Sequence, residues 1–285
     1  MLQPIIDSHV HIWNFDKAEY SWLKNSSALL NRNFNIEELE EERVKTGVTE
    51  GILIQAANNI EDTDWMLQVA ESTNWIKGVV GWLPLEDPDA TYQYLSKSYG
   101  ENPYFKGVRH LIHNETDPAW LLQKEVLESL GIIAQFNLPF DIVGIIPAHI
   151  ETAIQVAEKV PHLKMIFDHL NQPPIESGEK FGRWGKLMEK AAAYPNMYAK
   201  ISGLGTASGN FEGWSNSDLQ PYIEFIVKTF GVERCMCGGD WPISMEAGGY
   251  SRTWNTYCDI LVSLFTPAIQ SRILYDNAKQ FYQLK

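Results

Sequence analysis

The sequence has few cysteines: Cys235, Cys237 and Cys258 are the only three among 285 residues. An odd count, with two of the three separated by one residue, suits neither a disulfide framework nor an ordinary zinc knuckle. We therefore expect buried free thiols in a reducing compartment. The sequence also lacks an apolar run of membrane-spanning length and a charged-then-apolar leader. These absences favour a cytoplasmic protein that has no membrane partner.

Positive charge is also scarce. The 23 Lys and Arg residues are outnumbered by 36 Asp and Glu, which gives a formal net charge of −13. This balance repels nucleic acid and anionic membrane surfaces, so we expect neither as a partner. An anionic small substrate stays open, because a local Arg or Lys can reverse the field inside a pocket.

Short β-branched segments alternate with longer amphipathic segments along the whole chain. The segments with the composition of strands are Ile5–Trp13, Gly51–Ala57, Ile76–Leu83, Lys106–Ile112, Pro139–Val143, Lys164–Leu170, Met197–Gly203 and Cys235–Trp241. Those with helical periodicity are Asn35–Thr46, Asp62–Ser72, Ala90–Tyr99, Ala119–Leu130, Ala148–Lys159, Gly185–Ala193, Leu219–Phe230 and Pro267–Tyr282. No glycine-rich phosphate-binding turn follows the first strand, as an open nucleotide-binding sheet would need. We predict a single-domain (β/α)8 barrel over residues 1–285.

The most informative motif is Asp7, His9 and His11 in the segment IIDSHVHIW. Alternate side chains of a strand share one face, so we expect these three polar groups to lie together. Two neighbouring imidazoles suit a metal site or a reactive centre, because neutral imidazole is a common metal ligand. The alternative is one structural histidine in the core and one histidine in a loop.

Other predicted strands also end in polar residues, and the active sites of barrels lie at these C-terminal ends. The strand-end residues are His9, His11, Gln55, Trp82, Arg109, His110, Asp168, His169, Lys200, Ser202 and Asp240. Gly238 and Gly239 leave room for another group to approach Asp240 closely. A buried, unpaired carboxylate is costly, so we expect Asp240 to face water, a metal or a substrate.

Two mechanisms are compatible with this set. The side chains expected to meet at the barrel mouth are those of His9, His11, His169 and Asp240. In the first mechanism they hold one divalent ion, with Zn²⁺ as the first choice, that activates water and polarises a carbonyl. In the second, Asp240 is the general base, and the imidazoles and Arg109 stabilise the oxyanion without a metal.

Two further segments bear on the site. The predicted fifth strand offers Asp141 as its one ionisable group and has no histidine, so a two-metal site lacks a ligand. Asp141 itself suits a structural hydrogen bond equally well. Residues 203–217, rich in Gly, Ser and Asn, follow the seventh strand and form either a substrate-covering loop or a plain surface loop.

The polar residues belong to an ordered series of motifs: DSHVHIW, YSWL at 20–23, GVRH, DHLNQP at 168–173, KISGL, GGDWPI and NAKQFY. From Asp7 to Tyr282 this series resembles the amidohydrolase superfamily, specifically its amidohydrolase-2 (amidohydrolase-related) branch. That branch includes proteins similar to L-rhamnono- and L-fuconolactonases and 2-pyrone-4,6-dicarboxylate lactonase. The resemblance implies a distorted (β/α)8 barrel that hydrolyses a small sugar-acid lactone, such as rhamnono- or fuconolactone.

The resemblance also implies roles for individual residues. Asp240 matches the aspartate that activates water, and Arg109 matches an arginine that binds the carbonyl or carboxylate of the substrate. His9, His11 and His169 match the histidines of the first and sixth strands. Trp22 and Trp82 would form apolar walls for a sugar ring, with burial in the core as the alternative. The remaining residues of the expected substrate-binding set are Gln55, His110 and Lys200.

This sequence departs from the wider superfamily at strands four and five. A metal-bridging lysine or glutamate and a strand-five histidine are common there, whereas this chain has Val108–His110 and Phe140–Asp141. One divalent ion or none therefore remains open, and catalysis that does not require a metal is favoured.

Several alternatives to the sugar lactone stay open from the sequence. A carboxylated lactone of the 2-pyrone-4,6-dicarboxylate type would need two cationic anchors, for which Arg109 and Lys200 are available. A metal-dependent decarboxylase would need a firmly bound zinc, and the missing strand-five histidine counts against it. A barrel that only binds a sugar acid would have no need for a base such as Asp240. Exposed apolar helix faces are compatible with a homodimer.

Overall fold

The computed structural model describes residues 3–285, so Met1 and Leu2 of the predicted domain lie outside the described residues. Its centre is an eight-stranded parallel sheet whose strands follow the order of the sequence. The strands are β1 (Ile5–Val10), β2 (Val48–Ile54), β3 (Ile76–Gly81), β4 (Phe105–His110), β5 (Phe140–Ile142), β6 (Met165–Phe167), β7 (Met197–Ile201) and β8 (Cys235–Cys237). Each overlaps its predicted segment, and the (β/α)8 barrel is confirmed.

The sheet closes through a short seam between β1 and the residues that follow β8. Val10 and Trp241 form an isolated parallel bridge. The backbone N–H of His11 donates to the carbonyl of Trp241 over 2.7 Å, and that of Asp240 donates to the carbonyl of His9 over 2.8 Å. Because this seam replaces a full strand ladder, the barrel is distorted here, and the ends of the first and eighth strands lie side by side.

Helices surround the sheet. They are α1 (Glu40–Thr46), α2 (Ile60–Ser72), α3 (Pro88–Tyr94), α4 (Lys124–Gln135), α5 (Pro147–Lys159), α6 (Gly182–Ala192), α7 (Leu204–Ala207), α8 (Asn216–Phe230), α9 (Tyr250–Leu264), α10 (Pro267–Ser271) and α11 (Asn277–Phe281). All eight predicted helices are present, with ends that differ by up to several residues. The predicted last helix is divided, because a π-helical turn at Arg272–Asp276 separates α10 from α11.

The sequence analysis missed α9. Its sequence, YSRTWNTYCDILVSL, is rich in aromatic, β-branched and hydroxyl residues that have low intrinsic helix propensity. Burial compensates, because Tyr250, Trp254 and Tyr257 are nearly inaccessible and pack into the main core. Tertiary packing therefore stabilises this helix where local preference does not.

The lower interior of the barrel is apolar. One buried cluster there consists of Ile6, Ile52, Ile54, Val80, Ile166, Met236, Ala278, Phe281, Tyr282 and Leu284. Four of these come from α11 and the residues after it, so the C-terminal segment packs against the strand interiors. Burying a side chain such as Phe281 contributes roughly 1.5–3 kcal/mol. The polar groups nearer the barrel mouth therefore lie above a layer of buried apolar side chains.

Two predictions from the sequence concern the state of the cysteines and the presence of a membrane-spanning segment. All three cysteines are free thiols; Cys235 and Cys237 are buried as predicted, whereas Cys258 is partly exposed. Burial raises the pKa of Cys235 to about 12. Within residues 3–285, no helix combines the length and hydropathy that crossing a bilayer requires.

Candidate active site

β1 brings two buried imidazoles to the mouth of the barrel. Nδ1 of His11 lies 2.8 Å from the carbonyl oxygen of Ile54. A carbonyl can only accept, so Nδ1 carries the proton and Nε2 of the neutral ring is left with a free lone pair. This Nε2 faces Nε2 of His9 at 3.0 Å. Burial, followed by the charge of Arg109, lowers the pKa of His11 to about 3, which keeps the ring neutral.

The expectation that Asp7 shares the face of the two histidines is wrong. The pairing of β1 with β2 shifts register between Asp7 and Val10, which turns Asp7 away from the mouth. Its carboxylate accepts hydrogen bonds from the backbone N–H of His9 at 2.9 Å, that of Gly239 at 2.8 Å and the hydroxyl of Tyr250 at 2.7 Å. Asp7 therefore ties β1 to the eighth strand end and to α9.

Asp240 follows the paired glycines after β8. A Cβ atom on Gly238 would lie 2.5 Å from Cβ of His9, so this glycine allows β1 to approach the eighth strand end closely. Asp240 has a left-handed backbone, with φ of 55°. Its Oδ1 lies 3.7 Å from Nε2 of His9 and 3.6 Å from Nε2 of His11. This oxygen is buried and has no hydrogen-bond partner in the described chain. Burial raises the pKa of Asp240 to about 6.

His169 reaches the mouth through an unusual backbone turn. Four consecutive non-glycine residues, 169–172, have φ between 50° and 53°. This conformation costs roughly 1–2 kcal/mol per residue, so neighbouring contacts must hold it. The hydroxyl oxygen of Ser202 accepts from the backbone N–H of His169 at 3.2 Å and lies 2.9 Å from its Nδ1. Nδ1 is also 3.9 Å from Oδ2 of Asp240. Burial lowers the pKa of His169.

Arg109 of β4 places a guanidinium beside the imidazoles. Its Nη1 donates to Oδ2 of Asp168 over 3.0 Å and lies 3.4 Å from Nε2 of His9. Its Nη2 donates to the backbone carbonyl of Gln55. These contacts fix the plane of the guanidinium, and Arg109 also lines the cavity described below.

A layer of buried charge lies beneath the imidazoles. Nζ of Lys200 is 2.6 Å from Oδ2 of Asp141 and 2.8 Å from Oδ1 of Asp168. The hydroxyl of Tyr282 donates to the same oxygen of Asp141 over 2.7 Å. Burial by itself would raise the pKa of Asp168, but Lys200 and other neighbouring groups hold it well below its usual range. Asp141 is thus part of an ion pair inside the barrel, which agrees with the alternative that this residue has a structural rather than a ligand role.

A cavity of about 240 Å³ opens at the mouth. Its polar wall includes His11, Arg109, His113, His169 and Asp240. Its apolar wall includes Trp22, Leu111, Val143, Ile145 and Ile243. The reactive groups therefore share one compartment with a surface suited to the carbon skeleton of a small molecule.

Of the two candidate wall tryptophans, only Trp22 lines this cavity. Its indole N–H donates to the carbonyl of Ala56 over 2.8 Å, which fixes the ring. Trp82 instead donates to Nδ1 of His110 over 3.0 Å. Nε2 of His110 lies 2.7 Å from Glu115, so both rings belong to a hydrogen-bonded cluster beside the cavity.

Gln55 and Lys200 also lie outside the cavity wall. Gln55 is fully buried, and its side-chain amide donates to the backbone carbonyl of Arg109 over 3.2 Å. Lys200 is fully buried with its two carboxylates. The structure therefore brings neither side chain, nor those of Trp82 and His110, into contact with the space for substrate.

The sequence analysis missed several wall residues. His113 follows β4, and burial lowers its pKa to about 4. Gln172 belongs to the left-handed turn, and Thr206 belongs to the segment 203–217. Thr206 lies in α7, Leu204–Ala207, so this part of the segment lines the cavity. The strand-end rule does not reach residues placed by the loops and short helices after the strands.

The donor set fits a single metal ion. Among the residues that the structure describes, the ligand atoms of His9, His11 and Asp240 lie within 4.8 Å of one another. A tetrahedral ion with bonds of about 2.0–2.1 Å separates its ligand atoms by about 3.3 Å, close to the spacings here. The buried, unpartnered Oδ1 of Asp240 points to the same spot. His169, expected as a fourth ligand, is not in this set.

Comparison with known proteins supports the assignment of the barrel. The family model described as Amidohydrolase matches residues 6–284. An L-fucono-1,5-lactonase of Burkholderia ambifaria is 30% identical over 98% of this chain and 95% of its own length. An L-rhamnono-gamma-lactonase of Scheffersomyces stipitis is 26% identical over 63% of this chain and 59% of its own length.

A solved structure has the same fold. The crystal structure of an amidohydrolase from Burkholderia multivorans with bound zinc gives a TM-score of 0.88 over 99% of both chains. Its sequence is 23% identical, so this likeness establishes the fold alone.

Proposed function

Because this chain belongs to the amidohydrolase family, we propose that it hydrolyses the ester bond of a small, uncharged sugar-acid lactone, such as fucono- or rhamnonolactone. The observation that carries this proposal is the buried Asp240, which lines the cavity together with His11 and His169 and has one oxygen without a hydrogen-bond partner in the described chain. The relatives named as lactonases support the ester of a lactone as the reacting bond.

Asp240 is the general base of the proposed reaction. A carboxylate with a pKa of about 6 is mostly ionised at neutral pH and is still a competent proton acceptor. It removes a proton from water as the water oxygen attacks the ring carbonyl. The carbonyl becomes a tetrahedral oxyanion, and Asp240 holds the proton on one carboxyl oxygen.

Arg109 and His169 are placed to receive the oxyanion. Arg109 supplies fixed N–H donors in a site from which bulk water is largely excluded, where such donors are most effective. As the intermediate collapses, the bond between the carbonyl carbon and the ring oxygen breaks. Asp240 returns its proton to that oxygen, which yields a hydroxy acid and restores the carboxylate.

A divalent cation such as Zn²⁺, held by His9, His11 and Asp240, would polarise the carbonyl and lower the pKa of water when bound. The neutral imidazoles suit this role, because burial lowers the pKa of His9 and His11 and leaves their lone pairs available. Asp168, 3.4 Å from Nδ1 of His9, is placed as the carboxylate behind that ligand.

The charges of the cavity wall favour an uncharged substrate. Arg109 is the one cation among the described lining residues, because burial lowers the pKa of His11, His113 and His169 and keeps them neutral, and Lys200 lies below the wall. Arg109 is also already paired with Asp168. A dicarboxylate of the pyrone type would therefore lack its second anchor. Asp141 of the fifth strand is paired with Lys200 and does not join the three convergent ligand atoms. The fifth strand therefore adds no ligand for the firmly bound zinc that a decarboxylase would need.

The test is a hydrolysis screen with proton release as the readout. Aldono-1,4- and 1,5-lactones, with and without a hydroxyl at C6, are compared with 2-pyrone-4,6-dicarboxylate and 2,6-dihydroxybenzoate, and metal content is measured in parallel. Turnover of aldonolactones supports the proposal. Turnover of the dicarboxylate alone, or CO₂ release from the benzoate alone, would overturn it.

A further inference from the structure

Nδ1 of His9 lies between a hydrogen-bond donor and a hydrogen-bond acceptor at almost equal distance. Nζ of Lys200 is 3.3 Å away, and Oδ1 of Asp168 is 3.4 Å away. All three side chains have 0% exposure, so bulk water does not compete for these contacts. A neutral imidazole nitrogen either carries its proton and donates, or lacks it and accepts. Both forms find a partner here.

The other nitrogen of His9 gives the two forms different consequences. His11 donates through Nδ1 to Ile54, so its Nε2 presents a lone pair to Nε2 of His9 at 3.0 Å. With the proton on Nε2, His9 donates to His11 and the rings form a closed pair. With the proton on Nδ1, two lone pairs face each other; Nη1 of Arg109, 3.4 Å from Nε2 of His9, can donate to one of them, and a cation between them satisfies both.

We propose that Lys200 and Asp168 are positioning residues that set the tautomer of His9, and with it whether the site is closed or open to a divalent cation. Donation by Lys200 to Nδ1 selects the closed pair. Donation from Nδ1 to Asp168 selects the open form, in which both Nε2 lone pairs and Asp240 face one point. The exchange moves one proton from Nε2 to Nδ1 and leaves the net charge unchanged.

In this arrangement the buried charges of Lys200, Asp141 and Asp168 do more than pack the barrel interior. The two short contacts of Lys200, to Asp141 and Asp168, hold its ammonium beneath the imidazole. The inference rests on the proposed function for its catalytic meaning, because Asp240 is a free base in the closed form and a ligand in the open form. Its test measures the protonation of the ring nitrogens and the affinity for zinc rather than turnover.

The first measurement is ¹⁵N NMR of the histidine rings in the full chain. In the metal-free protein we expect His9 to be protonated on Nε2, and after addition of one equivalent of Zn²⁺ on Nδ1. Lys200→Met lacks the donor, so its metal-free His9 should shift towards protonation on Nδ1. Zinc affinity, measured by competition with a chelator, should rise about tenfold, because a charge-assisted contact no longer opposes binding.

A second variant keeps the test valid if loss of one buried charge prevents folding. Lys200→Met combined with Asp141→Asn removes the ammonium and one carboxylate together, and the new amide oxygen still accepts from Tyr282. It should reproduce the tautomer shift and the tighter zinc binding. Tyr282→Phe is the matched control, since it removes a hydrogen bond from Asp141 and leaves the contact between Lys200 and His9; it should match the wild type.

Two results would overturn the proposal: a metal-free wild type with His9 protonated on Nδ1, or unchanged zinc affinity in both Lys200 variants. A failure of the lactone screen together with the expected ring spectra would instead overturn the proposed function and leave this inference standing.

Discussion

A Cβ atom on Gly203 would lie 2.5 Å from Nδ1 of His169, closer than a side-chain Cβ atom approaches a non-bonded atom. The same Cβ atom would lie 2.9 Å from Oδ2 of Asp240. The absence of a side chain at Gly203 thus leaves room for the imidazole and the carboxylate that the proposed reaction uses together. It also has φ of 61°, in the region that favours glycine.

Gly203→Ala should therefore impair catalysis more than folding. Displacement of His169 or Asp240 by a fraction of an ångström or more is expected to lower kcat by about a hundredfold. The control is Gly178→Ala, because Gly178 has φ of 66° and no described atom lies within 4 Å of its Cβ position. Both variants carry the backbone strain, and thermal unfolding measures it. Equal activity of the two variants would show that the contact with the site is unimportant.

Asp240→Asn should abolish most of the turnover. The amide cannot accept the proton of water, and loss of a general base typically costs about 10²–10⁴-fold in kcat. Steady-state kinetics on the best lactone from the screen measures the effect. Asp16→Asn, which changes an exposed aspartate, should leave kcat unchanged. Full activity of Asp240→Asn would remove this residue from the role of base.

The metal site makes a separate expectation. After dialysis against a chelator, the chain should take up one Zn²⁺, and His11→Ala should weaken binding by at least about tenfold, since one of three ligands is lost. His113→Ala is the matched control, because this imidazole lines the same cavity but lies outside the convergent set. Isothermal titration with Zn²⁺ measures both. Equal affinity of the two variants would contradict the assignment of the ligands.

The two tryptophans distinguish a wall of the cavity from a neighbouring cluster. Trp22→Leu should raise KM for a lactone by about tenfold with a smaller effect on kcat, because an aromatic face is lost from the apolar wall. Trp82→Leu should leave KM close to that of the wild type, since its indole bonds to His110 outside the cavity. A larger change of KM in the Trp82 variant would place the substrate beside Trp82 and His110 instead.

The fold and the centre of the site were predictable from the sequence because they follow from local rules. Short β-branched segments and helical hydrophobic patterns locate the strands and the helices. Because active sites of barrels lie at the C-terminal ends of the strands, the same patterns place His9, His11 and Asp240 at one mouth. The position of Asp7 was not predictable, because a register shift in β1 depends on its pairing with β2. Likewise α9 depends on the core that buries its aromatic side chains.

The role of Lys200 shows the same limit for charge. A lysine at a strand end was expected to meet the substrate, but Asp141 and Asp168 neutralise it inside the barrel. Both carboxylates come from other strands, and Asp141 lies 59 residues away in the chain. A single sequence gives the residue types, whereas the pairing of charges depends on how the strands are arranged around the axis.

The seam between β1 and the eighth strand end also has a kinetic consequence. It joins parts of the chain that are 232 residues apart, as the bond from Gly239 to Asp7 illustrates. A contact between residues so far apart in the chain requires closure of a long loop, and the entropy lost in closing it is compensated only once the contact has formed. Such contacts are therefore expected to form late in folding. His9 and His11 stand on one side of this seam and Asp240 on the other. We therefore expect closure of the barrel and assembly of the reactive centre to occur together, so that a partly folded chain lacks the complete site for metal or substrate.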